Sequence, residues 1–249
     1  MAELLLELYS EEIPPQLQIG ARNQLKQYFE KSFEEERIRY KEILVYSSPT
    51  RLTLVVKDLA QKIKIESQEI KGPRVGSPEQ ILQGFMKAKN VSKNDLFKKE
   101  TEKGKFYFIK IEPKNILVEE LLISILSKAL SSISWKKSMK WSDHNLMWGR
   151  PLRSIFALFN AKKIIFQFDH LESSDEIIIE QDLLTKIEKV KNYKDYIRML
   201  KNNNIVLDHN EREKIILRKF NSISRSKNFK EYYNLKLLEE VVNIVEDPN

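Results

Sequence analysis

With 249 residues, 41% of them hydrophobic and 32% charged, the chain is long enough for one large or two modest domains and too apolar to stay disordered. It contains no cysteine, which excludes disulfides, thiolate metal sites and cysteine nucleophiles and suits a cytoplasmic setting. The formal charge of +7 points to an anionic partner such as nucleic acid, but a chain this rich in Lys, Ile and Asn also becomes basic through A+T-rich coding alone.

The N-terminus lacks the basic start and long apolar run of a secretory signal. Leu4 to Tyr9 reads as a short buried strand, and Ser10-Glu11-Glu12-Ile13-Pro14-Pro15 turns the chain. Ser10 is the expected cap of a helix over about Pro15 to Glu36, with Leu17, Leu25, Tyr28, Phe29 and Phe33 at roughly helical spacing. Ile43–Tyr46 and Leu52–Val56 read as strands across a Ser-Ser-Pro-Thr turn. Lys62 to Ile70 alternates apolar and charged residues like one half-buried strand. A Gly-Pro loop over 72–78 leads to a helix through about Ala88, with Ser77 as cap and Pro78 at its first position.

A hairpin is expected around Glu100 to Lys105, with Phe106 to Ile111 its stronger strand. The apolar segment Ile116 to Ile133 is interrupted by Glu119, Glu120, Ser124, Ser127 and Lys128. A membrane span needs about 20 nearly unbroken apolar residues, so this reads as an amphipathic helix of a soluble protein. Met139 to Trp148 reads as extended. Ile155–Phe159 and Ile164–Phe168 form a hairpin pattern, and Ile177–Ile179 a further strand. Helices follow over Tyr193–Leu200, Asp208–Phe220 with Asp208 as cap, and Leu235–Val245. The class is α+β: a mixed, largely antiparallel sheet with packed helices over residues 1–185, then a mainly helical segment over 186–249.

Sequence signatures of catalysis are absent. The six glycines form no phosphate-cradling or dinucleotide loop, and no nucleophile-elbow or zincin pattern occurs. His144, His170 and His209 lack metal-ligand spacing, and neighbours on a strand, as Asp169 and His170 would be, point to opposite faces. The Glu11-Glu12 pair could serve acid–base chemistry, but at a helix start acids more commonly serve the dipole. A basic-aromatic cluster is more informative. Lys136, Lys137, Lys140, Arg150 and Arg153 stand among Trp135, Trp141 and Trp148. Cations neutralise phosphates and flat rings stack on unpaired bases, so Lys136, Lys137, Lys140, Trp141, Arg150 and Arg153 are candidate nucleic-acid contacts. The competing reading makes the tryptophans core and the lysines a solvated rim. Arg51 reads as the partner of a nearby acid.

Several segments, in order, resemble the beta subunit of bacterial heterotetrameric glycyl-tRNA synthetase. They are Leu6-Glu7-Leu8-Tyr9-Ser10-Glu11-Glu12-Ile13-Pro14, Ser48-Pro49-Thr50-Arg51-Leu52, Lys71-Gly72-Pro73 with Gly84-Phe85, and Lys103-Gly104-Lys105-Phe106. Lys137-Ser138-Met139-Lys140-Trp141, Arg150-Pro151-Leu152-Arg153, and Leu237 to Val241 with Val245-Glu246-Asp247-Pro248 continue the series. The resemblance implies a non-catalytic subunit of glycine-tRNA ligase that binds tRNA(Gly) and assembles with an alpha subunit as alpha2beta2. It also implies that ATP and Mg are used on alpha, that this chain binds no cofactor, and that further beta domains lie beyond residue 249. Where the family carries a glycine-histidine-arginine-phenylalanine segment, this chain reads Ile179-Glu180-Gln181-Asp182-Leu183. That difference removes basic charge.

Overall fold

Leu4, Leu5, Leu6 and Leu8 put leucine on both sides of one strand, a pattern that is stable only where both faces are covered. The computed structural model, which describes residues 2–65, 67–102, 104–111, 113–181, 184–229 and 234–248, places this strand at the centre of a sheet. The chain divides into two compact units, one built from Met1–Gln61 and Val118–Asn249, the other from Lys62–Leu117.

The larger unit opens with β1 (Ala2–Ser10), α1 (Pro15–Glu35), β2 (Glu42–Ser47) and β3 (Arg51–Leu59). The smaller unit holds β4 (Lys62–Ile65), β5 (Gln68–Arg74), α2 (Glu79–Lys89), a 3-10 turn at Lys93–Asp95, β6 (Leu96–Thr101), β7 (Gly104–Ile111) and β8 (Lys114–Leu117). The larger unit resumes with α3 (Val118–Ser132), β9 (Leu152–Phe159), β10 (Lys162–Lys163), β11 (Gln167–Phe168), β12 (Leu171–Ser174), β13 (Glu176–Gln181) and β14 (Leu184–Lys189). It ends with α4 (Tyr193–Asn202), α5 (His209–Ser226) and α6 (Leu235–Ile244).

The main sheet runs β11-β12-β9-β1-β3-β2, with β10 also on β9. Its pairings are antiparallel except the short parallel match of β12 to β9. This is the α+β class expected. Leu5, Val55, Phe156 and Leu158 share one face, where they pack with Ile177 and Ile179 of β13 and Tyr196 and Leu200 of α4. Leu4, Leu6, Leu8, Leu52, Leu54 and Val56 occupy the alternate positions and are all at most 1% exposed. They lie on the α1 side, where Leu25, Phe29 and Phe33 are fully buried. Each such side chain contributes about 1.5–3 kcal/mol on leaving water.

The expected boundary near residue 185 does not coincide with the observed division, because α4, α5 and α6 remain with the larger unit. Side-chain bonds tie them there. Gln18 Nε2 donates to the carbonyls of Ile13 (2.9 Å) and Asn243 (2.7 Å), and Thr50 Oγ1 donates to Glu246 (2.8 Å). Arg212, fully buried, donates to the carbonyls of Ser47, Val206, Leu207 and Val242 at 2.6–2.9 Å. Burial lowers its guanidinium to about 10.

Several local expectations are also corrected. Ser10 ends β1, and its hydroxyl donates to the Glu11 carbonyl rather than capping α1, which starts behind Pro14. Ser77 does not cap α2: Pro78 holds that position without a side-chain bond. Lys62 to Ile70 is two strands, because β4 pairs with β8 while β5 pairs with β7. Glu66 of that stretch lies outside the described residues, as does Lys103 in the 100–105 hairpin. The hairpin after β9 turns at Asn160-Ala161, both with positive φ, but β10 contributes only Lys162 and Lys163 before the chain leaves to form β11. The Asp208 cap is present, accepting from the Asn210 amide.

Candidate nucleic-acid interface

Ser131 and Ser132 close α3 by donating back to the carbonyls of Ser127 and Ala129. The next residues are clamped to α1. Gln24 Nε2 donates to the Ser134 carbonyl at 3.1 Å, and its Oε1 accepts from the Ser134 amide at 2.8 Å. The chain then runs to Pro151 with one isolated bridge, Met139 to Trp148, bonded in both directions at 2.8 and 3.2 Å. A connection of this length without regular structure is commonly a functional loop.

Two of the tryptophans anchor it. Trp135 meets Trp148 edge-on at 5.1 Å, and Trp148, 3% exposed, also meets Phe168 at 5.8 Å. Gly149 makes room for this pair: a Cβ there would lie 2.5 Å from the Trp135 ring. For Trp148 the core reading therefore holds, and Trp135 packs half-buried against it. Trp141 differs, with 55% exposure, and Lys136, Lys137 and Lys140 around it are exposed. Lys140 Nζ reaches Asn145 Oδ1 at 3.3 Å, across the loop. Arg150 is half-buried and donates to the Gly149 carbonyl.

Arg153 is engaged elsewhere. Its guanidinium forks onto Glu180 (2.8 and 2.7 Å), lies 3.5 Å from Glu11, and covers the Tyr9 ring at 5.5 Å. Tyr9 OH donates to the same Glu180 carboxylate at 2.8 Å. The Arg153 bonds hold Glu180 below the usual carboxylate range, while burial and Glu180 push the Tyr9 phenol up. Glu180 lies in the segment where the resemblance led to an expectation of basic residues, and here it occupies Arg153. Sequence reading missed this link because the partners lie 27 residues apart. Asp182 and Leu183 of that segment are outside the described residues.

Arg51 has the structural pairing expected. Its Nη1 faces Glu7 at 3.5 Å, Nη2 donates to the Ile178 carbonyl at 2.7 Å, and the guanidinium lies over Tyr9 at 4.6 Å. Tyr196 OH also donates to Glu7 and bonds with Thr53. Burial pushes the Glu7 carboxyl up against the pull of Arg51 and Tyr196. Glu11 and Glu12 precede α1 without entering its first turn, so they are not dipole acids as read; Glu11 pairs with Arg153 instead.

The histidines need one correction. Asp169 and His170 form a tight turn between β11 and β12, Asp169 with φ 54°, so they do not point to opposite faces of a strand. His170 Nδ1 contacts Asp169 at 2.8 Å, and the His144 ring stacks on His170 at 3.5 Å and 4°. These three are the metal-compatible cluster found among the described residues. Parallel rings aim their in-plane lone pairs side by side rather than at one point, and Mg prefers oxygen donors in an octahedron. The arrangement does not suit that ion. His209 is a half-buried structural residue against Tyr46, and its partial burial lowers its pKa to about 4.

Comparison with known proteins settles the family. Residues 4–249 match the family model described as glycyl-tRNA synthetase beta subunit. The chain belongs to that family. It is 35% identical to the glycine–tRNA ligase beta subunit of Rickettsia felis over its whole length, covering 38% of that protein. Identity to the beta subunits of Rickettsia akari and Rickettsia bellii is 36% and 37%, again over the whole chain and 37% and 38% of theirs. The chain thus spans little more than a third of the relatives' length. Among the described residues no helix is long and apolar enough to cross a membrane.

Proposed function

We propose that this chain is a tRNA-binding and assembly portion of a glycine-tRNA ligase beta subunit, supporting ATP-dependent attachment of glycine to tRNA(Gly) without a catalytic centre of its own. The family match from residue 4 to residue 249 carries this reading. In it, ATP and Mg belong to the alpha subunit, the assembly is alpha2beta2, and its setting is the cytoplasm. The 133–151 loop gives the reading a surface: an exposed tryptophan with three exposed lysines, rooted by the buried Trp148 and the half-buried Trp135. Rooting the loop limits the entropy that must be lost when RNA orders it. Arg150 stands at the loop's base. Arg153, held by Glu180 and Glu11, acts as a structural residue unless RNA displaces those acids.

The test is binding of a tRNA(Gly) transcript across a salt series, for the native chain and for Lys136→Gln/Lys137→Gln/Lys140→Gln. Three lost phosphate contacts should weaken binding and shallow the log–log salt slope by about 2–3. Trp141→Ala should weaken binding with little change of slope. Unchanged affinity and slope in both variants would remove the loop from the interface. A chain that binds tRNA but does not support charging in a complete assembly with alpha would be a stand-alone RNA-binding module.

A further inference from the structure

The basic charge of this chain is not spread evenly. Lys62–Leu117 contains thirteen Lys or Arg and seven Asp or Glu, a net +6 of the chain's +7. The remaining residues, more than three times as many, carry +1. Coding bias would raise lysine everywhere and leave no such step, so drift does not account for the charge of this unit.

The fold gives that charge a surface. In the β5-β7-β6 sheet, β7 is central, and residues directly opposite one another in register share a face. Phe106 stands between Lys99 and Arg74, and Phe108 between Phe97 and Lys71. One face of this small sheet therefore carries three phenylalanines in a frame of cations. Lys71 Nζ sits 3.6 Å over the Phe106 ring, Phe97 stacks on Phe108 at 5.9 Å, and Lys71 and Lys99 are exposed. The opposite face carries Ile70 and Ile109, and α2 packs there: a Cβ at Gly72 would meet the Phe85 ring at 2.7 Å. The helix covers one side and leaves the aromatic-cationic side uncovered by it. Lys99 bonds to Glu69, but a bridge between two groups about half exposed holds weakly and yields to a phosphate.

We propose that this aromatic-cationic face of the 62–117 unit is an RNA contact surface that takes an unpaired stretch of RNA, with Phe97 and Phe106 stacking on bases and Lys71, Arg74 and Lys99 meeting the flanking phosphates. Phe97 and Phe106, half-buried on neighbouring strands, keep ring area open to bases while Phe108 is buried, and rings read bases only where these are unstacked. The inference rests on the proposed tRNA-binding role for the ligand's class, and it adds a second contact region distinct in sequence from the 133–151 loop.

The experiment uses the full chain with two fluorescent probes of equal length, a single-stranded oligoribonucleotide and an RNA duplex, beside the tRNA(Gly) transcript. Lys71→Gln/Arg74→Gln/Lys99→Gln should bind the single strand at least ten-fold more weakly at low salt, with a slope shallower by about 2. Phe106→Leu keeps an apolar side chain in the sheet and should bind about five-fold more weakly at an unchanged slope. Native affinity and slope in both variants, with folding intact by circular dichroism, would overturn the proposal. Loss of tRNA binding only in the Lys136/Lys137/Lys140 variant would overturn it while leaving the tRNA-binding role standing. If the native chain binds none of the RNAs at low salt, both fail. Equal affinity for single strand and duplex would remove the stacking role, and preference for phosphatidylserine vesicles over RNA would assign the face to a membrane surface.

Discussion

Arg51 and Arg153 follow prolines in similar short segments, yet the two guanidiniums have different surroundings. Arg51 is 1% exposed against a fully buried Glu7, so removing one partner leaves the other charge uncompensated in the core. Arg51→Ala should cost about 3–5 kcal/mol in urea unfolding, and the Glu7→Leu/Arg51→Leu double variant should lose less than the single. An equal loss in both would show that packing rather than charge dominates. His209 gives a pH signature. Its folded pKa of about 4 lies below the ordinary 6.5, so the unfolded chain binds more protons between those values. Its contribution is complete above pH 6.5 and is lost as pH falls toward 4, by at most about 3 kcal/mol. His209→Phe should flatten the stability profile over that interval, and an unchanged profile would assign the acid sensitivity to other groups. The Arg51 pairing was legible because an arginine in an apolar strand needs an acid. The Arg153–Glu180 pairing was not, because it depends on where β13 crosses the sheet.

Elements with strong periodicity or branched apolar runs were legible: α1, β2, β3, α4 and α6 lie within a few residues of their expected spans, while α5 starts as expected and runs on past Phe220 to Ser226. Reading failed where tertiary pairing decides. β4 and β5 share an alternating pattern but pair with different strands, and β10 stops after two residues because β12, arriving in parallel, pairs along β9 instead. Caps at Ser10 and Ser77 failed because a proline at the helix start pre-sets the backbone without a side-chain bond. The loop that carries the candidate site depends on Gly149. Gly149→Ala forces the Trp135 ring to shift and should cost about 1–3 kcal/mol, read by urea unfolding together with tryptophan fluorescence. Native stability and fluorescence would mean that the two-tryptophan anchor is loose.

At the scale of the molecule, composition revealed that the chain is basic but not where the charge lies. That required the division into units, and the division depends on pairing between β4 and β8, which are separated by about fifty residues. The Val118 amide donates to the Gln61 carbonyl at 3.0 Å, so the two ends of the larger unit that flank Lys62–Leu117 in sequence are bonded to each other. Replacing Lys62–Leu117 by two glycines should therefore leave a cooperatively unfolding remainder, checked by circular dichroism during denaturation. A molten product would show that the larger unit needs the insertion to fold.

The family match carries the proposal at the centre of the account, that this chain works with an alpha subunit. The measurement is co-purification of the chain with a bacterial glycyl-tRNA synthetase alpha subunit, followed by glycine-dependent pyrophosphate exchange. The account predicts a stable complex with exchange above that of alpha alone. Separate elution of the two chains at micromolar concentration, with exchange unchanged, would contradict it.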